Sequence, residues 1–204
     1  MNRRAASTLA MRMLVLCFGL AAPVLAQSGL LEKQMAAGER MAREFRKHTK
    51  PLEGEAEEYV RRVGRTLLGP EQHWQFELIK DDVGGATREP VTFPGYIFVP
   101  ARLLIMTGSE AELAGMLAHA IAHVETASDE AAADRRAVEI AAAAGYDPRA
   151  LAEYFRRIPR LDARAAAIEA AAKAQAPREW KESSGAFADA QEFVRRRAVA
   201  VPKR

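Results

Sequence analysis

Apolar positions recur at helical spacing along much of this chain and alternate strictly with polar ones in one short stretch. Residues 30–48 place Leu31, Met35, Met41 and Phe45 among charges, which predicts a helix packed on one side. A second stripe, Leu52, Ala56, Tyr59, Val60, Val63 and Leu67, predicts a helix started by Thr49-Lys50-Pro51 and stopped by Gly69-Pro70. Trp74, Phe76 and Leu78 then alternate with Gln75 and Glu77, predicting a strand that ends at Asp81-Asp82. Gly84-Gly85 marks a turn. Residues 91–99 form a second β-rich run. Pro94-Gly95 in its middle predicts an edge strand or a bulge rather than a central strand.

After Leu103-Leu104 the pattern is helical throughout. Ser109-Glu110-Ala111-Glu112 reads as a capping box, with the serine as N-cap and Glu112 reaching back to it. Gly145 ends a later helix, and Asp147-Pro148 opens another that runs to about Ile158. Residues 161–176 are alanine-rich and helical. Residues 186–199 form a last amphipathic stretch with Phe187, Phe193 and Val194, and Arg195-Arg196-Arg197 is its solvated end. The predicted fold class is α+β, mostly helical, with a small sheet near residues 74–99.

The composition, 49% hydrophobic and 28% charged, belongs to a folded globular chain and excludes collagen-like or disordered classes. A formal net charge of +3 suggests a nucleic-acid binder until its source is located. Residues 1–26 hold Arg3, Arg4 and Arg12 and no acid; without them 27 basic residues face 27 acidic ones. No phosphate-binding stripe is therefore expected, and no nucleic-acid partner. Those same residues read as a signal peptide: arginines, an apolar run over residues 13–25, and Val24-Leu25-Ala26 as the cleavage site. The run is too short for a stable membrane span, so a periplasmic or secreted protein is expected. Cys17 lies within the leader, and Leu16 before it is too bulky for a lipidation site. The mature chain then has no thiolate ligand, and a metal must be held by histidines and carboxylates.

One region carries candidate chemistry. On the helix capped by Ser109, Leu113, Met116, Leu117, Ala120, Ile121 and Val124 form an apolar arc. His119 and His123 stand at its edge, one turn apart. That spacing suits two imidazoles on one zinc ion, and equally a half-buried hydrogen-bonded pair. The next helix places Glu130 and Asp134 on the face of Ala137, Val138 and Ala141. Carboxylates on such a stripe need partners. One arrangement makes Glu130 the third ligand, with Asp134 holding a histidine N–H from behind. The other makes both carboxylates surface partners of Arg135 or Arg136.

Several blocks together resemble the HtpX/BepA-like zinc metallopeptidases, peptidase family M-forty-eight, which also includes the CAAX prenyl protease. They are Glu57-Glu58-Tyr59-Val60-Arg61-Arg62-Val63-Gly64, Pro94-Gly95-Tyr96-Ile97-Phe98-Val99 and Ser109-Glu110-Ala111-Glu112-Leu113-Ala114-Gly115. Leu117-Ala118-His119, Ile121-Ala122-His123-Val124, Glu130-x-x-x-Asp134-Arg135 and Ala144-Gly145-Tyr146-Asp147-Pro148 follow in the family's order. The resemblance covers roughly residues 52–158. It implies a zincin-like metallopeptidase domain over residues 27–160, followed by a helical extension over 161–204. It also implies zinc on His119, His123 and Glu130, and a peptide-binding cleft flanked by the strand around Gly95 and Tyr96.

Three departures bear on activity. Ala120 stands where the family's H-E-x-x-H has its general base, and alanine can neither accept a proton nor orient water. Only residues 124–129 separate His123 from Glu130, and a straight helix would carry Glu130 about 10 Å along the axis. The chain must therefore turn near residues 125–128, with Thr126 or Ser128 as the new cap. Finally, His48, His73, His119 and His123 are the only histidines, so the family's downstream histidine is missing. The expected function is a zinc metallopeptidase-family protein with weak or lost hydrolysis. The alternatives are a non-catalytic zinc protein that binds extended polypeptides and a metal-free helical scaffold.

Overall fold

The computed structural model describes residues 31–69, 74–80, 89–126, 129–181 and 183–198. The predicted leader at residues 1–26 and the predicted Gly84-Gly85 turn lie outside the described residues. Helix α1 covers residues 31–46 and α2 covers Glu55–Leu68. Helix α2 buries Ala56, Tyr59, Val60 and Val63, as its stripe predicts. It starts later than Pro51, however. Pro51 disfavours a helical conformation at Lys50, and the segment runs extended beside β1 (Gln75–Ile79) instead. The Leu52 N–H donates to the Leu78 carbonyl at 2.8 Å, so Leu52 is buried by strand-like pairing rather than by the helix. Glu55, Glu57 and Glu58 then occupy the first turn, where the helix dipole favours negative charge.

Residues 91–99 are not one strand. Pro94-Gly95 is the turn of a hairpin that joins β2 (Val91–Phe93) to β3 (Tyr96–Pro100). Proline at the first central position and Gly95 at φ 81° suit that reversal. The sheet order is β1-β3-β2, with β1 parallel and β2 antiparallel to β3. The expectation of one edge or bulged strand over residues 91–99 is therefore corrected: the run is a hairpin whose second strand, β3, is central, with β1 and β2 outside it. Both faces of β3 are covered, so every residue from Tyr96 to Pro100 is buried and no alternation shows in the sequence. Ile97 and Val99 join the main core with Phe76 and Leu78. Tyr96, Phe98 and Ile79 form a smaller core on the opposite face with Ala42 of α1, where the Phe45 and Phe98 rings lie 4.7 Å apart.

Helix α3 (Ala101–Met106) follows β3 directly and leads to α4 (Glu110–Glu125), which is buried continuously from Glu112 to Ala122. A helix apolar on nearly all sides belongs in the middle of a fold, and α4 packs against α2, β2, α5 and α6. Helix α5 (Glu130–Ala143) lies along it, and Ala133, Ala137 and Ala141 are small enough to let the two approach closely. At the end of α5 the Tyr146 N–H reaches the Ala141 carbonyl and the Gly145 N–H reaches that of Ala142, with Gly145 at φ 88°. This is a Schellman ending.

Helices α6 (Ala150–Arg156), α7 (Asp162–Lys173) and α8 (Gly185–Ala198) complete the chain. Ala165, Ile168 and Ala172 of α7, and Phe187, Ala190 and Val194 of α8, belong to the same hydrophobic core as α4. Helices α7 and α8 are thus part of that core. The class is α+β, mostly helical, with a small three-stranded sheet. Among the described residues no helix is long and apolar enough to cross a membrane.

Candidate metal centre

The rotation of α4 is set at its first turn. Ser109 Oγ accepts the Glu112 N–H at 3.1 Å, as expected of the cap. The reciprocal half of the box differs: the Glu112 carboxylate takes the Gly108 N–H at 2.7 Å, one residue further back, and pairs with Arg157. With α4 so fixed, His119 and His123 face α5 one turn apart. Helix α4 stops at Glu125 and α5 begins at Glu130, so the chain makes the required reversal. The new cap is Asp129, whose carboxylate accepts the Ala132 N–H at 2.6 Å. Thr126 instead donates its hydroxyl to the Ala122 carbonyl, and Ser128 lies outside the described residues. Arg136 of α5 closes the helical pair by donating to Glu125 at 2.6 Å.

The reversal brings Glu130 over both rings. His119 Nε2 and His123 Nε2 are 2.9 Å apart; Glu130 Oε2 is 3.6 Å from the first and Oε1 3.5 Å from the second. Four ligands at about 2.0–2.1 Å around a tetrahedral ion lie about 3.3 Å from one another. The observed spacings bracket that value, so two imidazoles and one carboxylate could hold a metal ion. Among the described residues this is the one such group of three whose donor atoms all come within 4.8 Å. Burial grades outward: the side chain of His119 is 2% exposed, that of His123 22% and that of Glu130 56%. The group is therefore open on the Glu130 side. Burial, followed by the neighbouring His119, pushes His123 below the usual imidazole range, favouring the neutral ring that a metal needs.

Behind the pair, Asp134 Oδ1 is 3.1 Å from His119 Nδ1, the place expected for it, although the N–H direction is poorly aligned. Burial works to raise the Asp134 carboxyl, but the contacts with His119 and Arg164 outweigh it and hold the group below its usual range. The arginine that answers the carboxylates is neither Arg135 nor Arg136. It is Arg164 of α7, which donates through Nε to Asp134 Oδ2 at 2.9 Å and through Nη2 to Oδ1 at 2.8 Å. The same Nη2 is 2.8 Å from Glu130 Oε2. Its signal in the sequence was faint: an arginine one turn before the buried Ile168, in a helix otherwise read as an alanine-rich extension.

Ala120 is 2% exposed and packed in the core, so its own position on α4 offers no carboxylate. Gly95 and Tyr96 are not brought to the group. Gly95 is in the hairpin turn, and Tyr96 is buried on the α1 face of the sheet beneath Arg46. Strand alternation turns Ile97 toward the main core and Tyr96 to the opposite face. Two cavities flank these regions. One of 490 Å³ runs between α5 and α7, walled by Ala131, Ala163, Ala167 and Ile168, with Glu130 and Arg164 at its side. Another, of 820 Å³, lies over α2 and β1 among Arg46, Arg61, Glu57 and Glu77. No protein-family model and no curated protein matches this sequence.

Proposed function

We propose that this chain is an exported zinc-binding protein related to the HtpX/BepA-like metallopeptidases, with hydrolysis weakened or lost. The observation that carries the reading is the convergence of His119, His123 and Glu130 at ligand spacing, with Asp134 behind His119. Donors of this kind, two imidazoles and one carboxylate, suit zinc and leave a position for substrate. A bound zinc ion would supply Lewis acidity toward a peptide carbonyl. The chain's own residues do the rest: the histidines and Glu130 hold the ion, and Asp134 orients His119.

The missing part is a base. Alanine at position 120 cannot take a proton, and such a group contributes about 10²–10⁴ in rate. This favours the second reading, a zinc protein that binds extended polypeptides without cutting them. The sheet edge available for such a chain is β2 rather than β3, since β3 is paired on both sides. Helix α4 lies against β2, so a segment added there would run beside the helix that carries the histidines. The apolar cavity between α5 and α7 offers room for a side chain.

Protein purified without a nickel column is expected to contain about one zinc per chain and to lose it on His123→Ala. Absence of zinc from the unaltered protein would instead leave the cluster as a polar network in a metal-free scaffold. Restoring the base by Ala120→Glu is expected to raise peptide cleavage by about 10²-fold or more. Brisk, chelator-sensitive cleavage by the unaltered protein would overturn the assignment of Ala120 as a lost base.

A further inference from the structure

A metal group built from two imidazoles and a carboxylate already faces one positive charge in this fold. Arg164 sits over the Phe155 ring at 4.6 Å, with its side chain 26% exposed. Its Nε and Nη2 hold the two oxygens of Asp134 in a fork. That fork is an anchor. The second job of Nη2 is different: it lies 2.8 Å from Glu130 Oε2 and 3.5 Å from His119 Nε2, facing two of the three atoms that would ligate the metal. These are close to the separations between neighbouring ligands on one ion. A guanidinium cannot lose its charge in a protein, so it does not withdraw by deprotonation.

We propose that Arg164 is a resident competitor for the metal. In the metal-free protein its Nη2 satisfies Glu130 and stands against the lone pair of His119. An arriving divalent cation must displace Nη2 from both, while Nε keeps its hold on Asp134. The 490 Å³ cavity between α5 and α7 borders Arg164 and gives the displaced group somewhere to go. Occupancy of the metal group is thereby coupled to the placement of α7, a helix that supplies no ligand. The proposal rests on the metal-binding reading above and adds a sign to it: loss of the arginine tightens binding.

The test is a Zn²⁺ titration of the full mature chain against a chromophoric chelator, which reads affinity and requires no catalysis. Arg164→Gln is expected to bind Zn²⁺ at least about tenfold more tightly than the unaltered protein, because a fixed positive charge has been removed from beside the ion. Arg164→Lys keeps the charge without the fork and is expected to fall between the two. It also serves if the glutamine variant fails to fold. Equal or weaker binding by both folded variants overturns the competitor while leaving the metal group intact. Loss of Zn²⁺ on His123→Ala, in the unaltered and the Arg164→Gln backgrounds alike, keeps the metal-binding reading secure whichever way the arginine result falls. If neither the unaltered protein nor Arg164→Gln takes up Zn²⁺, the metal-binding reading and the competitor both fall.

Discussion

The two ends of α4 both set carboxylates against an arginine, Arg157 at one and Arg164 at the other, and differ in what is left unpaired. At the N-terminal end every named carboxylate is answered. Glu112 takes the Gly108 N–H and Arg157, while Glu110 accepts from the hydroxyls of Tyr146 at 3.0 Å and Ser184 at 2.6 Å. Toward the C-terminal end His119 and His123 turn their ring nitrogens on each other and on two carboxylates, and the buried Nδ1 of His123 has no hydrogen-bond partner. Buried polar groups are nearly always satisfied, so an excess of inward-facing acceptors is the exception that needs a reason. The difference teaches that charge burial alone does not mark chemistry on this helix. What sets the C-terminal end apart is a pair of imidazoles whose buried Nδ1 atoms have no hydrogen-bond partner.

Breaking the satisfied end has the largest expected cost. Glu112 is 3% exposed, and Glu112→Ala strands the Gly108 N–H and one side of Arg157. Since Arg157 remains half in water, the loss is expected to be about 2–3 kcal/mol in urea unfolding, with zinc affinity unchanged. A loss below about 0.5 kcal/mol would show that this pair holds nothing together. At the other end, Asp134→Asn is expected to weaken zinc binding about 10–100-fold, the usual effect of a group that orients a ligating histidine. If affinity instead stays level, Asp134 is not orienting His119.

Smaller effects sharpen the contrast. Ser109→Ala is expected to cost about 1 kcal/mol in thermal or urea unfolding, the worth of one helix cap, without touching the metal. The least is expected from Glu110. Burial tends to raise its carboxyl, but hydrogen bonds from Ser184 and Tyr146 prevail and hold it below the usual glutamate range. The folded protein then binds fewer protons there than the unfolded chain, so this contribution is complete above about pH 4.5 and is lost as pH falls through the folded-state value. Glu110→Gln is therefore expected to show a shallower loss of stability below pH 4.5; an unchanged acid limb would remove Glu110 from the account.

What the sequence revealed follows from distance along the chain. His119, His123, Glu130 and Asp134 lie within one helix–turn–helix, where a period of 3.6 residues decides which side chains share a face. The reversal after Glu125 was required by the same geometry, although Asp129 takes the cap that Thr126 or Ser128 was expected to fill. Arg164 escaped notice because no local period relates α7 to α4. The hairpin at Pro94-Gly95 is hidden for another reason: with both faces of β3 covered, the run lacks the alternation that separates a strand from a turn. The late start of α2 followed from Pro51, whose effect on Lys50 outweighed an apolar stripe that included Leu52.

The three donors all precede residue 131, whereas the guanidinium that answers them comes from α7. A chain emerging from the ribosome therefore presents the histidine pair and Glu130 before Arg164 has appeared. Under the proposed competition, a cation would meet the three donors unopposed in the nascent chain and would have to displace a guanidinium in the finished one.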